Sequence, residues 1–242
     1  MSGDSNTEVI GGKFHRRGFL QLVSDAVTFH CLSSAEARAL PGCRFAKQSI
    51  LLSALAVESA ANCVVADAPL SKTKRKDLLG MHTFAKFKDA LAPRGKFFDR
   101  ERDEAKRVAA LIQVRNDLAH PKVFKDSVDI QFKRSNEKWI AEVEMALADS
   151  GLLGIRHKPM GWTSKESHTV LEALNDFFAY LFDSVLRYSD GDLAKMFSSY
   201  VESDLGHVMF VVEELPDFDE AERCGVNLTA FRRFARVGEG EF

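Results

Sequence analysis

The sequence predicts an all-α (mainly α) fold, a helical bundle of four to five long helices with one small β-hairpin insertion. Three observations lead to this prediction. Apolar residues recur at intervals of three and four through most of the chain, a spacing that places them on one face of an α-helix. One stretch, near 127–145, changes to the alternation typical of β-strands. The nineteen phenylalanines, against three tyrosines and two tryptophans, indicate a large and mostly dry core.

Capping and helix-breaking residues set the ends of the expected helices. Pro69 ends the second helix, and an acidic run after Asp99 opens the fourth, where the helix dipole favours negative charge. Thr163 or Ser164 caps the fifth. The second helix is apolar on nearly all sides, which predicts a central position in the bundle. The expected ranges are 15–32, 44–68, 74–91, 99–119, 164–187 and 191–201.

The β-hairpin is expected between the fourth and fifth helices. "SVDIQF" alternates polar and apolar residues, and the polar turn "RSNEK" separates it from "WIAEVEM". The second arm is equally compatible with a short helix. The chain then divides into a flexible N-terminal tail (1–13), a helical domain with the hairpin (14–190) and a C-terminal helical extension packed on that domain (191–242).

Charge and cysteine content exclude several classes of protein. The net charge of -2 and the pI near 6.4 give no overall attraction to nucleic acid or to a membrane, although a small basic cleft fits within such a total. The four cysteines have no C-x-x-C spacing, which indicates reduced thiols and no metal site. No apolar run approaches the roughly 18 residues of a membrane span, and the N-terminus lacks the apolar region of a signal peptide. A cytoplasmic protein without a membrane partner is expected.

An arginine lies in the apolar stripe of the fourth helix. Arg115 shares one face with apolar residues at helical spacing, so it points toward the core or a partner surface. A guanidinium keeps its charge there and needs an acidic group, a second subunit or a bound anion. Glu58 and Asn62 interrupt the stripe of the second helix, so we expect a Glu58–Arg115 ion pair. Such a pair also fits a purely structural role in fixing helix register. The apolar residues are Ala105, Val108, Leu111, Ile112 and Ala119.

The same helix ends at His120, directly before Pro121. On an ideal helix, with about 100° per residue, Asn116 lies about 40° from His120 and Arg115 about 140° away. Pro121 disfavours the helical conformation at His120, so the imidazole can swing out with Asn116 beside it. A histidine at a helix C-terminus is also favoured by the dipole, and on composition alone that capping role is the simpler explanation.

The segment R-N-D-L-A-H, Arg115 to His120, resembles the R-x4-6-H motif of HEPN domains. In that motif a polar residue usually follows the arginine, and Asn116 fills this place. "SALAVESAANC" is similar to an earlier helix of the family that carries a glutamate and a downstream asparagine, here Glu58 and Asn62. The resemblance covers roughly residues 15–190, although only the motif and this helix are specific.

The resemblance implies an HEPN-like helical bundle with metal-independent endoribonuclease activity, as in a toxin or defence effector, and no cofactor. His120 would be the general acid or base, and Arg115 would clamp the phosphate and stabilise charge in the transition state. Asn116 would orient His120 or donate to a phosphate oxygen. Glu58 would hold Arg115 in place, with Asn62 beside it.

The resemblance also implies partners. RNA is the expected substrate and a cognate antitoxin a further partner. A homodimer would let Arg115 of one subunit serve the cleft that contains His120 of the other. A short basic run is a candidate rim for RNA phosphates, with a solvated loop as the alternative. Its members are Lys72, Lys74, Arg75 and Lys76.

Two other functions fit the same residues. A non-catalytic HEPN-like module would use Arg115 as an anion site for a nucleotide, an RNA end or a protein. A structural helical scaffold would use Glu58 and Arg115 as an internal salt bridge and His120 as a cap. Nucleotide binding that depends on Arg115 distinguishes these two functions from each other, and RNA cleavage distinguishes both from the nuclease.

Overall fold

The computed structural model describes residues 10–120, 129–135, 138–144, 151–156, 159–211 and 213–238. Most of them are helical, so the predicted mainly α fold is confirmed. A π-helical segment, Tyr180–Leu186, continues the helix that begins at Ser164. The α-helices are α1 (Phe19–Ala35), α2 (Ala39–Asp67), α3 (Lys72–Leu79), α4 (Thr83–Leu91), α5 (Asp103–Ala119), α6 (Ser164–Ala179), α7 (Asp190–Phe197), α8 (Leu215–Arg223) and α9 (Arg233–Gly238).

The predicted central helix is α2, around which α1, α4, α5 and α6 pack. Phenylalanines from several helices fill the adjoining core, among them Phe19, Phe177, Phe178 and Phe182, all fully buried. Their rings meet in tilted and edge-to-face pairs with centroids 4.7 to 5.5 Å apart, which is the preferred geometry for aromatic side chains. The large core expected from the phenylalanine content is therefore present.

Among the described residues, α2 is also the one helix long and apolar enough to cross a membrane. Of its most apolar window, 61% is buried inside the fold. A helix covered on this scale has the character of the core helix of a soluble protein, and its length and composition alone are weak evidence for a membrane span. Cytoplasmic localisation stays a prediction.

The single helix expected over 74–91 is wrong, because two helices, α3 and α4, occupy this stretch. The chain turns at Gly80 between them. Leu78 and Phe87 are nine residues apart, so one continuous helix would place them on opposite faces, about 180° apart. Both side chains are fully buried. The break lets both reach the core, and it leaves His82 as the residue that precedes α4.

The predicted β-hairpin is present. Its strands are β2 (Asp129–Ser135) and β3 (Lys138–Glu144), which pair in antiparallel register from Asp129 opposite Glu144 to Ser135 opposite Lys138. The second arm is thus a strand and not a short helix.

A second, three-stranded antiparallel sheet was not expected from the sequence. Its strands are β1 (Gly12–His15), β4 (Ser199–Ser203) and β5 (Val208–Val211), in the order β1-β4-β5. Gly12 and Lys13 had been assigned to a flexible tail, and β4 and β5 lie in the extension that was expected to be helical. The His15 and Tyr200 rings stack across β1 and β4 with centroids 4.4 Å apart.

The C-terminal part packs on the helical core. Phe231 and Phe234 are fully buried and join the main cluster. Arg233 pairs with Asp183 at 2.6 Å. The "FRRF" segment is therefore the apolar edge of a packed element.

Candidate functional site

Helices α2, α4 and α5 bring four charged and polar side chains together. A guanidinium N–H of Arg115, on α5, donates to Glu58 Oε2, on α2, at 2.7 Å. The ion pair expected from the sequence is therefore present. Lys86, on α4, lies with its Nζ 3.6 Å from the other carboxylate oxygen of Glu58. The same Nζ donates to Asn62 Oδ1 at 2.8 Å.

Lys86 is the innermost member of this group. Its side chain is 3% exposed, against 33% for Glu58 and 25% for Arg115. An ammonium group in such a place needs an opposite charge and hydrogen-bond acceptors, because burial without them is very unfavourable. Glu58 supplies the charge and Asn62 a neutral acceptor. The two residues named from the α2 stripe thus hold the buried lysine as well as the arginine.

The arginine side of this group opens into a cleft of about 520 Å³. This volume lies within the range of sites that hold a small ligand. Arg115, Asn116 and His120 all line it, so the structure brings the three residues of the motif to one place in a single chain. The other lining residues are Glu58, Met81, His82, Thr83, Phe84, Arg100, Ala109 and Ile112.

His120 reaches the cleft because the helix ends there. Its φ of -125° and ψ of 67° lie outside the helical region, as expected for a residue before proline. Its backbone N–H still bonds to the Asn116 carbonyl at 2.9 Å. The imidazole is exposed and makes no hydrogen bond to any described residue. The angle of about 140° that an ideal helix sets between Arg115 and His120 is therefore no obstacle, and a second subunit is not needed to bring them to one cleft.

The cleft is positively charged at its lining. Its described lining holds two guanidinium groups, those of Arg100 and Arg115, and one carboxylate, that of Glu58, which is paired with Arg115 and with the buried Lys86. Arg100 is exposed and has no ion pair with a described residue. A Nε atom of Arg115 is buried and makes no hydrogen bond within the described part of the chain. Met81, Phe84 and Ile112 supply an apolar wall. Such a surface suits a ligand that joins an anionic group to a flat or apolar one.

The basic run expected at the rim lies elsewhere. The four basic residues Lys72, Lys74, Arg75 and Lys76 make up half of α3, and none of these four described residues lines the cleft. A guanidinium N–H of Arg75 donates to the Ala68 carbonyl at 3.3 Å, which ties the helix to the end of α2. The structure thus does not join this run to the motif residues.

Three residues of the site were missed by sequence reasoning: Lys86, His82 and Arg100. A signal for Lys86 was available, since it shares a face with Thr83, Phe87 and Ala90, all buried, at helical spacing. This is the same pattern that singled out Arg115. No local pattern marks His82 or Arg100, because each precedes a helix whose direction is set by packing.

A separate group of side chains could hold a metal ion. Cys31, Glu220 and Cys224 place a thiol, a carboxylate and a thiol within 4.8 Å of one another, where α1 meets the end of α8. The two sulfur atoms are 2.7 Å apart, and the Glu220 carboxylate is already paired with Arg223 at 2.7 Å. The pair of thiols is closer than two ligands of one tetrahedral zinc ion would be. This group includes none of the cleft residues.

Comparisons of the chain with protein-family models, with curated proteins and with solved structures find no match.

Proposed function

We propose that this protein is a metal-independent endoribonuclease of the HEPN type, and that the cleft between α2, α4 and α5 is its active site. One observation carries the proposal: Arg115, Asn116 and His120 line the same cleft, while Glu58 fixes the arginine at 2.7 Å. A toxin or defence effector is the biological role that such an activity fits.

The residues supply what cleavage of RNA by its own 2′-hydroxyl requires. The bond from O2′ to phosphorus forms and the bond from phosphorus to O5′ breaks, which leaves a 2′,3′-cyclic phosphate and a 5′-hydroxyl. One proton leaves O2′ and another reaches O5′. His120 takes part in this proton transfer, and Arg115 stabilises the charge that develops on the phosphoryl oxygens. Asn116, next to both, orients the imidazole or donates to a phosphoryl oxygen.

The donor set favours chemistry without a metal ion. Magnesium in nucleases is held by carboxylate oxygens with free coordination sites. Glu58 is the one carboxylate among the described residues that line the cleft, and both of its oxygens already face cations. Guanidinium groups can take the role of the metal, because they stabilise a phosphorane by charge and by paired hydrogen bonds.

The test is cleavage of bulk RNA in excess EDTA by the wild type, Arg115→Ala and His120→Ala. Arg107→Ala is the matched arginine control, since Arg107 lies on the same helix in an ion pair with Asp176 and does not line the cleft. His207→Ala, at an exposed turn, is the histidine control. We expect the two cleft variants to lose at least about 100-fold in rate and the controls to match the wild type. Equal cleavage by His120→Ala and wild type refutes the proposal.

An absence of cleavage by the wild type, in monomer and dimer fractions and across pH 5 to 9, would replace the nuclease by the binding-module function. The apolar wall of Met81, Phe84 and Ile112 is the feature that favours this second function. Thermal stabilisation by nucleotides, lost in Arg115→Ala, would then identify the module. Sedimentation of the same samples tests the homodimer that the HEPN resemblance implies, and co-purification from the native host tests a cognate antitoxin.

A further inference from the structure

The cleft contains a second histidine, which comes from a different helix. His82 directly precedes α4, and its side chain makes no capping hydrogen bond to that helix. It is exposed, lines the same cleft as His120 and has no partner among the described residues. A histidine that neither caps its helix nor packs in the core, and that lines a cleft together with a second histidine, calls for a chemical explanation.

The reaction of the proposed nuclease provides one. In an in-line displacement the attacking O2′ and the departing O5′ lie on opposite sides of the phosphorus. A base must stand at one side and an acid at the other, so a single imidazole cannot serve both in one step. A second proton-transfer group is required, either from a partner subunit or from elsewhere in the same chain.

We propose that His82 is this second group, so that one chain holds both the acid and the base for RNA cleavage. The inference rests on the proposed function and deepens it. His82 enters the cleft from the start of α4 and His120 from the end of α5, so the two imidazoles approach a phosphate from different elements. One removes the proton from O2′ and the other gives a proton to O5′, and the two exchange protonation states over the turnover.

Arg100 completes the site as a phosphate contact. One guanidinium N–H of Arg115 donates to Glu58. Arg100 also lines the cleft and has no ion pair with a described residue. The first turn of α4, with Thr83 and Phe84, lies there too, and the N-terminal end of a helix favours an anion. A phosphodiester is the ligand class that fits two guanidinium groups, two imidazoles and an apolar wall.

The experiment compares two substrates whose leaving groups differ in their need for a proton. The first is a short fluorogenic RNA with the natural 5′-oxygen leaving group, which needs a proton. The second is a ribonucleoside 3′-(4-nitrophenyl phosphate), whose nitrophenolate departs without one. Rates are measured for the wild type, His82→Ala, His120→Ala and the control His207→Ala, each first checked for folding by circular dichroism.

We expect both cleft variants to lose at least about 100-fold on the RNA. On the nitrophenyl ester, the variant that lacks the acid should recover to within about fivefold of the wild type, while the variant that lacks the base stays slow. The wild-type pH profile should be bell-shaped on RNA, and each variant should lose one limb. Arg100→Ala should lower kcat/KM on RNA about tenfold, with partial recovery in Arg100→Lys.

Each outcome has a definite meaning. If His120→Ala is inactive and His82→Ala cleaves both substrates like the wild type, the role of His82 is refuted while the nuclease stands, and the second group belongs to another residue or to a partner subunit. If the wild type cleaves neither substrate, the nuclease itself is refuted, and the role of His82 with it. If both variants lose activity equally on both substrates, His82 positions the RNA and does not transfer a proton.

Discussion

The buried Lys86 and the carboxylate of Glu58 should be strongly coupled in stability. The test is a double-mutant cycle of Glu58→Gln, Lys86→Met and the double variant. Gln keeps the shape of the glutamate without its charge, and Met keeps most of the volume of the lysine stem. Removing the carboxylate leaves Lys86, 3% exposed, as a buried cation whose one hydrogen-bond acceptor among the described residues is Asn62.

The expected magnitudes follow from the exposure of each partner. Loss of one member of a fully buried pair costs about 3–5 kcal/mol, and of an exposed pair about 0–1 kcal/mol. The Glu58 side chain is one-third exposed, whereas that of Lys86 is buried. We therefore expect Glu58→Gln to lower the free energy of unfolding by about 2–3 kcal/mol, between the two limits. Lys86→Met should cost about 1 kcal/mol, because Glu58 keeps Arg115 at 2.7 Å while Asn62 loses a donor.

The double variant contains no buried cation without a counter-charge. Its cost should therefore be about 1–2 kcal/mol less than the sum of the single costs, which is the coupling energy. Urea unfolding followed by circular dichroism measures it, provided that the m-values agree. The exposed pair Arg107 and Asp176 is the control, with an expected coupling below about 1 kcal/mol. Additive costs at Glu58 and Lys86 would show that the lysine does not depend on the carboxylate, and the reasoning would be refuted.

Three further predictions concern parts of the fold outside the cleft. Burial, and secondarily the nearby His168, lowers the pKa of His30 from 6.5 to about 4, so between these pH values the folded state binds fewer protons than the unfolded state. Acidification from pH 7 to pH 5 should therefore lower the free energy of unfolding by about 2 kcal/mol in the wild type but not in His30→Gln, as measured by urea unfolding at both pH values. Glu166 accepts the backbone N–H and the hydroxyl of Thr163, both at 2.7 Å, to form a capping box; Glu166→Ala should lower the stability by about 1–2 kcal/mol, and an unchanged urea midpoint would contradict this role of the box. The sulfur atoms of Cys31 and Cys224 are 2.7 Å apart, so hydrogen peroxide should oxidise the two thiols to a disulfide, with release of two water molecules and a loss of two hydrogens seen by mass spectrometry. Burial raises the pKa of Cys31 to about 12, so the oxidation rate should rise with pH, and a full thiol count after oxidation at pH 9 would contradict the prediction.

Sequence reasoning succeeded where a residue contradicts its local pattern. Glu58 and Arg115 each interrupt an apolar stripe, and two such interruptions on neighbouring helices can satisfy each other only by meeting. Pro121 similarly fixed the end of α5 at His120, because a residue before proline leaves the helical region. In each case the physical requirement is local or pairwise, so the chain itself contains enough information.

Sequence reasoning failed where a segment's structure depends on residues far away in the chain. Strands β1 and β4 pair across almost the whole chain, and segments of four or five residues are too short for an alternating pattern to be distinctive. The break at Gly80 arises because Leu78 and Phe87 must both be buried, which only the surrounding core decides. The break at Gly80 places His82 in the cleft, and the segment that leads into α5 places Arg100 there. No spacing in the sequence therefore marks these two residues.

The arrangement around Glu58 explains why a lysine lies behind an arginine that already has a partner. A lone Glu58–Arg115 pair is neutral, and a phosphate approaching the cleft would meet a carboxylate beside the guanidinium. Lys86 adds a second cation to the same carboxylate, so the three groups together carry one net positive charge. Because Lys86 is buried, it cannot leave to contact the ligand itself, and its field acts through protein with little screening by water. Arg115 is thereby held in position by Glu58 without losing its attraction for an anion.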